Sequence, residues 1–251
     1  MAEPDREVLR LSRRVRRLEE TLEQVESIRD TNMRLQDRLM DDLAAERARS
    51  RELLLNVLPE DIVARLDAGE TRIADRHERV AVLFSDLVGF TGIAASLPPA
   101  ELVDRLDRLF STFDAACAEH GLEKIKTIGD AYMAAAGLRP GDPDPCAAAA
   151  AVALAMVRAV EATCGAWRMR VGIHVGPVVA GVIGRHKFAY DLWGDSVNVA
   201  SRLEATAEPG RIHVSSEVAA ALDGRYRLEP RGRVDLKGKG PTETFYLLSP
   251  S

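Results

Sequence analysis

The first fifty residues contain no glycine, and their single proline is Pro4. A stretch so free of backbone breakers, alternating acidic and arginine-rich runs, is confined to one long helix. Its apolar residues fall at Leu11, Val15, Leu18, Leu22 and Val25, stepping by four and three. That heptad seam predicts a coiled coil joining two chains, preferred over a lone solvated helix. From Val25 to Ile28 the step is again three, so the phase slips before resuming at Ile28, Leu35 and Leu39. Such a slip locally overwinds a supercoil.

The next segment, LLLNVLPEDIVARLDAGE over 53–70, is too apolar for a lone exposed helix. Pro59 stops the first helix or starts a second, and Glu60 and Asp61 suit a helix N-terminus. This reading gives an N-terminal helical domain over 1–76 and a second domain over 77–251, long enough to bury a full core. The net charge of -5 offers no basic excess to neutralise phosphates, which argues against a nucleic-acid partner. No run of about 18 uncharged apolar residues occurs, so no transmembrane segment is expected in this chain. The opening MAEPDREVLR has no apolar stretch behind it, so no signal peptide is expected. Three widely spaced cysteines, Cys117, Cys146 and Cys164, read as free thiols in a reducing cytoplasm.

In the second domain, strand-like runs cover 79–85, 123–128, 131–137, 168–175, 211–214, 226–236 and 244–248. Helical patterns cover 99–119, 145–163, 195–207 and 216–223. Strands joined by the tight turn of IGDAY, with long helices between others, predict an α+β sheet layered with helices. No GxGxxG follows the first strand and no GxxxxGK[ST] occurs, so Rossmann and P-loop folds are disfavoured.

VAVLFSDLVGFT, residues 80–91, is a buried-strand pattern that ends in a carboxylate. Asp86 leaves the strand and Leu87–Thr91 continue as a loop, where Gly89 relaxes the backbone and amides cradle an anion. Asp130 follows Gly129 at the hairpin turn of KIKTIGDAYM. Two aspartates at the ends of neighbouring strands suit two divalent cations about 4 Å apart, Mg²⁺ or Mn²⁺ rather than zinc. Each aspartate alone reads as a turn or cap residue. Asn198 and Arg202, spaced i, i+4 in DSVNVASRLEA, share one helix face, with Asp195 and Ser196 as candidate N-caps.

FSDLVGFT, EKIKTIGDAYMAA, GIHVGPVVAGVIG, YDLWGDSVNVASRLE and LKGKG stand in the order and approximate spacing of the class III nucleotidyl cyclase catalytic domain. The sequence resembles that family from about His77 to the C-terminus. The coiled coil and LLLNVLP element also look like the region preceding the catalytic domain in many bacterial members. The resemblance implies a ferredoxin-like, palm-type central antiparallel sheet flanked by helices. It makes Asp86 and Asp130 metal-binding carboxylates, with the carbonyl of Leu87 completing the site. Amides at Gly89, Phe90 and Thr91 would meet the phosphates, and Lys237 would bind the distal ones from a loop closing over pyrophosphate. Arg185 and Lys187 align only loosely with a similar role. Asn198 would orient the ribose, and Arg202 would stabilise charge on the α-phosphate.

Lys126 and Asp191 fall where the family selects the base. A lysine donates to adenine N1 and an aspartate accepts from the N6 amine, whereas guanylyl cyclases usually show glutamate and cysteine there. The resemblance therefore implies an adenylyl cyclase using ATP, with cyclic AMP and pyrophosphate as products. In the family, metal carboxylates and base-selecting residues of one site come from different chains. All key positions stand on this chain, so a homodimer through the catalytic domain and the coiled coil is expected. A guanylyl cyclase and an inactive nucleotide-binding dimerisation module are the alternatives. Relatives with such a helical segment often carry an upstream membrane anchor or receiver. The expectation is the cytoplasmic portion of a membrane-anchored signalling protein.

Overall fold

A computed structural model describes residues 3–164, 167–184 and 188–251. The chain divides between Val63 and Ala64 into two compact units. In the first, helix α1 (Glu3–Leu55) runs unbroken for 53 residues, about 80 Å at the usual helical rise. Leu11, Val15, Leu18, Leu22, Val25, Ile28, Leu35 and Leu39 are all 52–62% exposed. The slip between Val25 and Ile28 does not interrupt the helix. Pro59 precedes α2 (Glu60–Asp67), which spans the divide and has Glu60 and Asp61 in its first turn.

The second unit contains β1 (Ala74–Leu87), α3 (Phe90–Ser96), α4 (Pro99–His120), β2 (Glu123–Ile128), β3 (Ala131–Ala136) and α5 (Pro145–Cys164). There follow β4 (Met169–Ile183), β5 (Ala189–Trp193), α6 (Asp195–Thr206), β6 (Ile212–Ser215), α7 (Ser216–Leu222), β7 (Tyr226–Leu236) and β8 (Gly240–Pro250). The strand order is β2-β3-β1-β4-β6-β8-β7, with β5 on the far part of β4. The first four strands form the expected ferredoxin-like antiparallel arrangement. The sheet as a whole is mixed rather than antiparallel, because α6 carries the chain back so that β6 lies parallel to β4.

β1 is buried on both faces, which explains its unbroken apolar run. Ala81 and Leu83 pack with Leu109, Phe113, Met156 and Val218, under α4, α5 and α7. Val80 and Val82 face the other way, onto Met133, Val178, Leu192 and Ala200 of α6. α5 has the length and apolarity of a membrane span. Here Ala149, Ala150, Val152, Ala153, Met156 and Val160 are buried in the core cluster, so its apolarity serves packing.

Three expectations are corrected. Residues 90–96 form a helix rather than a loop; Gly89, at φ 71°, supplies the left-handed residue that starts it. β4 extends eight residues beyond Val175 because its second half pairs with both β1 and β5, and β5 was not foreseen. The residue capping α6 is Gly194, with no side-chain cap. Ser196 instead donates to the Pro177 carbonyl at 2.8 Å, and Asp195 pairs with Lys239.

His213 on β6 is fully buried, and its Nδ1–H donates to the Leu203 carbonyl of α6 at 2.8 Å. Burial, opposed by that bond and aided by Arg231, pushes its pKa from 6.5 down to about 4. Protonation therefore favours the unfolded chain. The stability carried by neutral His213 is intact above pH 6.5 and is lost as pH falls toward 4. In chemical denaturation across that window, the wild type should lose up to about 1.4 kcal/mol per pH unit more than His213→Gln. Equal slopes would refute this.

Candidate active site

At the exit of β1, the antiparallel register sets Asp86 opposite Arg170 and Leu87 opposite Met169. The strand end is held further by Val88, whose N–H donates to the Arg168 carbonyl at 2.8 Å. Phe90 is anchored edge-on against Trp167, with ring centroids 6.5 Å apart, while Gly89 and Thr91 remain exposed. The amides proposed to meet phosphates thus stand at the first turn of α3 on a fixed strand end.

Asp130 reaches the same place from the β2–β3 hairpin. Ile128 pairs with Ala131, leaving Gly129 and Asp130 as the turn, and Gly129 supplies the positive φ, 65°, that so short a turn requires. Burial raises the Asp130 carboxyl to about 6, and a hydrogen bond and the like charge of Asp86 add to the rise. The fold therefore holds two carboxylates against one another, a donor set that a hard divalent cation fits. Among the described residues no group of three or more His, Cys, Asp or Glu side chains forms a metal position. Two carboxylates and the Leu87 carbonyl make a sparse oxygen set, of the kind Mg²⁺ completes with substrate phosphates and water.

Arg170 donates from Nη2 to Asp86 Oδ2 at 2.7 Å, and its Nε lies 3.2 Å from Glu204 Oε1 on α6. Both of these last atoms are buried, and they meet at ion-pair distance without hydrogen-bond geometry. Burial pushes Glu204 up to about 7 despite Arg170, and the charges of Asp86 and Asp130 add to the rise.

Lys126 and Asp191 form a second group. β2 and β5 are separated in the sheet by β3, β1 and β4. Nevertheless Lys126 Nζ donates to Asp191 Oδ2 at 2.5 Å. A register shift between Lys124 and Lys126 re-aims the lysine. Asp191 lies in a strand, not a turn, and its Oδ1 accepts from the Leu192 N–H at 2.8 Å.

The third group is on α6 and the β7–β8 turn. Asn198 is exposed and Arg202 half-buried. The Arg202 guanidinium lies beside Gly238, where an added Cβ would stand 3.8 Å from Nη1. Leu236 pairs with Gly240, so exposed Lys237 sits on a tight hairpin turn closed by Lys239 N–H to the Leu236 carbonyl at 2.8 Å. The glycines of the turn provide the positive φ values. A cavity of about 410 Å³ lies beside the first turn of α6, lined by His174, Pro177, Ser196, Glu217, Leu236 and Lys239. Neither Asp86 nor Asp130 lines it. Among the described residues, no hydrogen bond or ion pair joins Lys126, Asn198 or Arg202 to the aspartate pair.

Residues 73–249 match the adenylate and guanylate cyclase catalytic domain family. The chain belongs to this family. It is 46% identical over 211 residues to an adenylate cyclase of Mycobacterium tuberculosis, covering 82% of this chain and 48% of that protein. It is 41% identical over 222 residues to human retinal guanylyl cyclase 1, covering 83% of this chain and 20% of that one. The guanylate cyclase domain of RhGC from Catenaria anguillulae, solved in complex with GTP, is similar with a TM-score of 0.68 at 32% identity. That match covers 70% of this chain and 100% of the solved domain. The chain thus spans about half or less of the length of these curated relatives. Adenylate and guanylate cyclases both stand among them, so membership gives a nucleotidyl cyclase domain, and the base rests on the residues that face it.

Two residues of the cyclase domain's aspartate cluster escaped the sequence reading. Arg170 was assigned only to a strand, and Glu204 only to the end of the SRLE motif. A basic residue on a strand flanking the carboxylate strand was the available signal, but only the β1–β4 register places it opposite Asp86. Arg185 and Lys187 lie outside the described residues. In metal-free protein, Asp86→Asn should move the Asp130 carboxyl titration, followed by carbon NMR, down from about 6 while leaving it above the ordinary 3.8, since burial is the first cause. An unmoved or rising Asp130 would refute the contact.

Proposed function

We infer that this cyclase domain is an adenylyl cyclase, turning ATP into 3′,5′-cyclic AMP and pyrophosphate at sites completed by a second copy of the chain. The Lys126–Asp191 pair carries the reading. One strand offers a donor and the other an acceptor, side by side, which is the complement of the adenine edge at N1 and N6. Guanine presents the opposite order and would meet like with like. The similarity to an adenylate cyclase over 82% of the chain supports the same base.

Asp86, Asp130 and the Leu87 carbonyl would hold two Mg²⁺ or Mn²⁺ ions, whose chemistry is Lewis acidity toward the ribose hydroxyl and the phosphate oxygens. Gly89, Phe90 and Thr91 present amides at the start of α3 to the phosphate chain. Lys237 supplies positive charge to its distal end, where the leaving pyrophosphate gathers charge. Asn198 orients the ribose so that its 3′-oxygen faces the α-phosphorus, opposite the departing group. Since the attack is intramolecular, much of the rate comes from holding that folded shape. Arg202 donates to the α-phosphoryl oxygens as charge grows on them, a contribution of a few kcal/mol for such a donor. No side chain near the aspartates stands out as a general base.

Among the described residues no bond joins the Lys126–Asp191 pair or Arg202 to the aspartates within one chain, which supports a homodimer whose two equivalent shared sites would each draw on both copies. The exposed seam of α1 would join the same two copies as a coiled coil and raise the effective concentration of the catalytic halves. The wider protein is read as membrane-anchored, with this portion on the cytoplasmic side.

With Mn²⁺, purified protein should form cyclic AMP from ATP and turn over GTP far more slowly; the reverse preference would overturn the base assignment. Asp86→Ala and Arg202→Ala should each be nearly inactive. Mixed and allowed to exchange, they should regain about a quarter of wild-type activity, because half of the dimers then hold one intact site. Absence of recovery in proven heterodimers would count against shared sites.

A further inference from the structure

We propose that Arg170 is a positioning residue for the metal-binding carboxylate, bridging Asp86 on β1 to Glu204 on α6. This rests on the metal-site reading given above. The bridge follows from two independent placements. The β1–β4 ladder sets Asp86 and Arg170 directly opposite one another. Two residues along β4, Gly172 lets α6 come so close that an added Cβ would stand 2.2 Å from the Glu204 amide nitrogen and 2.4 Å from the Ala200 carbonyl. With the helix pressed against the strand there, Glu204 is only 13% exposed.

Arg170 fills the gap between the two elements. Its Nη2 holds Asp86 Oδ2 at 2.7 Å, its Nη1 reaches the Ala205 carbonyl at 3.5 Å, and its Nε faces Glu204 at 3.2 Å. A planar guanidinium spreads its donors over three nitrogens in a fixed fork wide enough to face all three partners; an ammonium gathers the same charge on one atom and does not span them. In its ionised form Glu204 also offsets the arginine's charge. Without it, the full positive charge would bear on Asp86 and compete with a cation for the carboxylate. Glu204 thus keeps Arg170 as an orienting contact rather than a neutralising one. Outer partners of metal ligands act in this way, and their loss typically costs ten- to a hundredfold in metal affinity, an order-of-magnitude range.

Arg170→Lys is the discriminating variant, since it keeps the charge and removes the bridge. The full chain is titrated with Mn²⁺ in the presence of 3′-deoxy-ATP, which lacks the attacking hydroxyl, and bound Mn²⁺ is read by electron paramagnetic resonance. Arg170→Lys and Glu204→Gln should each weaken Mn²⁺ binding about tenfold. For both, the nucleotide KM at saturating Mn²⁺ should stay close to wild type, a split that general loosening of the fold would not produce. Asp86→Asn serves as the reference and should abolish binding. If Asp86→Asn abolishes binding while Arg170→Lys binds as wild type does, the bridge is refuted and the metal site stands. If Asp86→Asn leaves binding unchanged, the metal-site reading falls and this proposal falls with it.

Discussion

The antiparallel ladder between β1 and β4 is the constraint on which the rest depends. It runs from Ala74–Gly181 to Leu87–Met169, with one irregularity between His77 and Val80. Because strand side chains alternate, a slip of one residue would send Asp86 to the opposite face and expose Val80, Val82 or their neighbours. Both faces of β1 are packed, with Val80, Ala81, Val82 and Leu83 fully buried, so such a slip is penalised on each side. The energy that fixes the carboxylate comes from apolar burial several residues upstream. This is why a chain can hold Asp86 and Asp130 in mutual contact although their charges repel. The repulsion is small beside the cost of unpacking the strand.

The same ladder governs the second catalytic element. α6 is placed by its approach to Gly172 on β4 and by the Leu203 carbonyl's bond to His213 on β6. It turns Ser196, Val199, Ala200 and Leu203 inward, which leaves Asn198 and Arg202 on the other side, toward the β7–β8 turn. One chain therefore carries the two halves of the proposed site on separate elements, Asp86 on β1 and Arg202 on α6. A two-fold pairing of such chains brings each half to a different partner half, which is the arrangement the proposed mechanism uses.

Much of this was legible because the signals were local. The period of the apolar residues marked α4, α5, α6 and β1, and Gly129 next to Asp130 marked the hairpin turn. Five motifs in order gave the family. What escaped was set by partners distant in sequence. β5 is only five residues long, and it is a strand because β4 continues past Pro177 to receive it. α3 was hidden by Gly89, which made Leu87–Thr91 read as a loop, although Gly89 starts the helix through its left-handed backbone. Ser196 looked like a cap, but burial under Pro177 recruited its hydroxyl elsewhere. The role of Arg170 depends on register across 84 residues of chain, which no local pattern encodes. The aspartates, the lysine–aspartate pair and Arg202 carried motif signals; the residue that aims one of them did not.

The N-terminal helix poses a separate physical question with a related answer. Eight apolar side chains more than half exposed along one stripe are costly in water, and a helix 53 residues long gains little from propensity alone without packing. A second copy of the same helix would cover the stripe with its own, and in a parallel coiled coil equivalent residues would face one another. The shared nucleotide site proposed for the catalytic unit asks for a second copy on unrelated grounds, those of chemistry rather than burial. A heptad seam needs only apolar spacing and a shared site needs only divided ligands, so neither feature entails the other. The proposed homodimer gives both features one account.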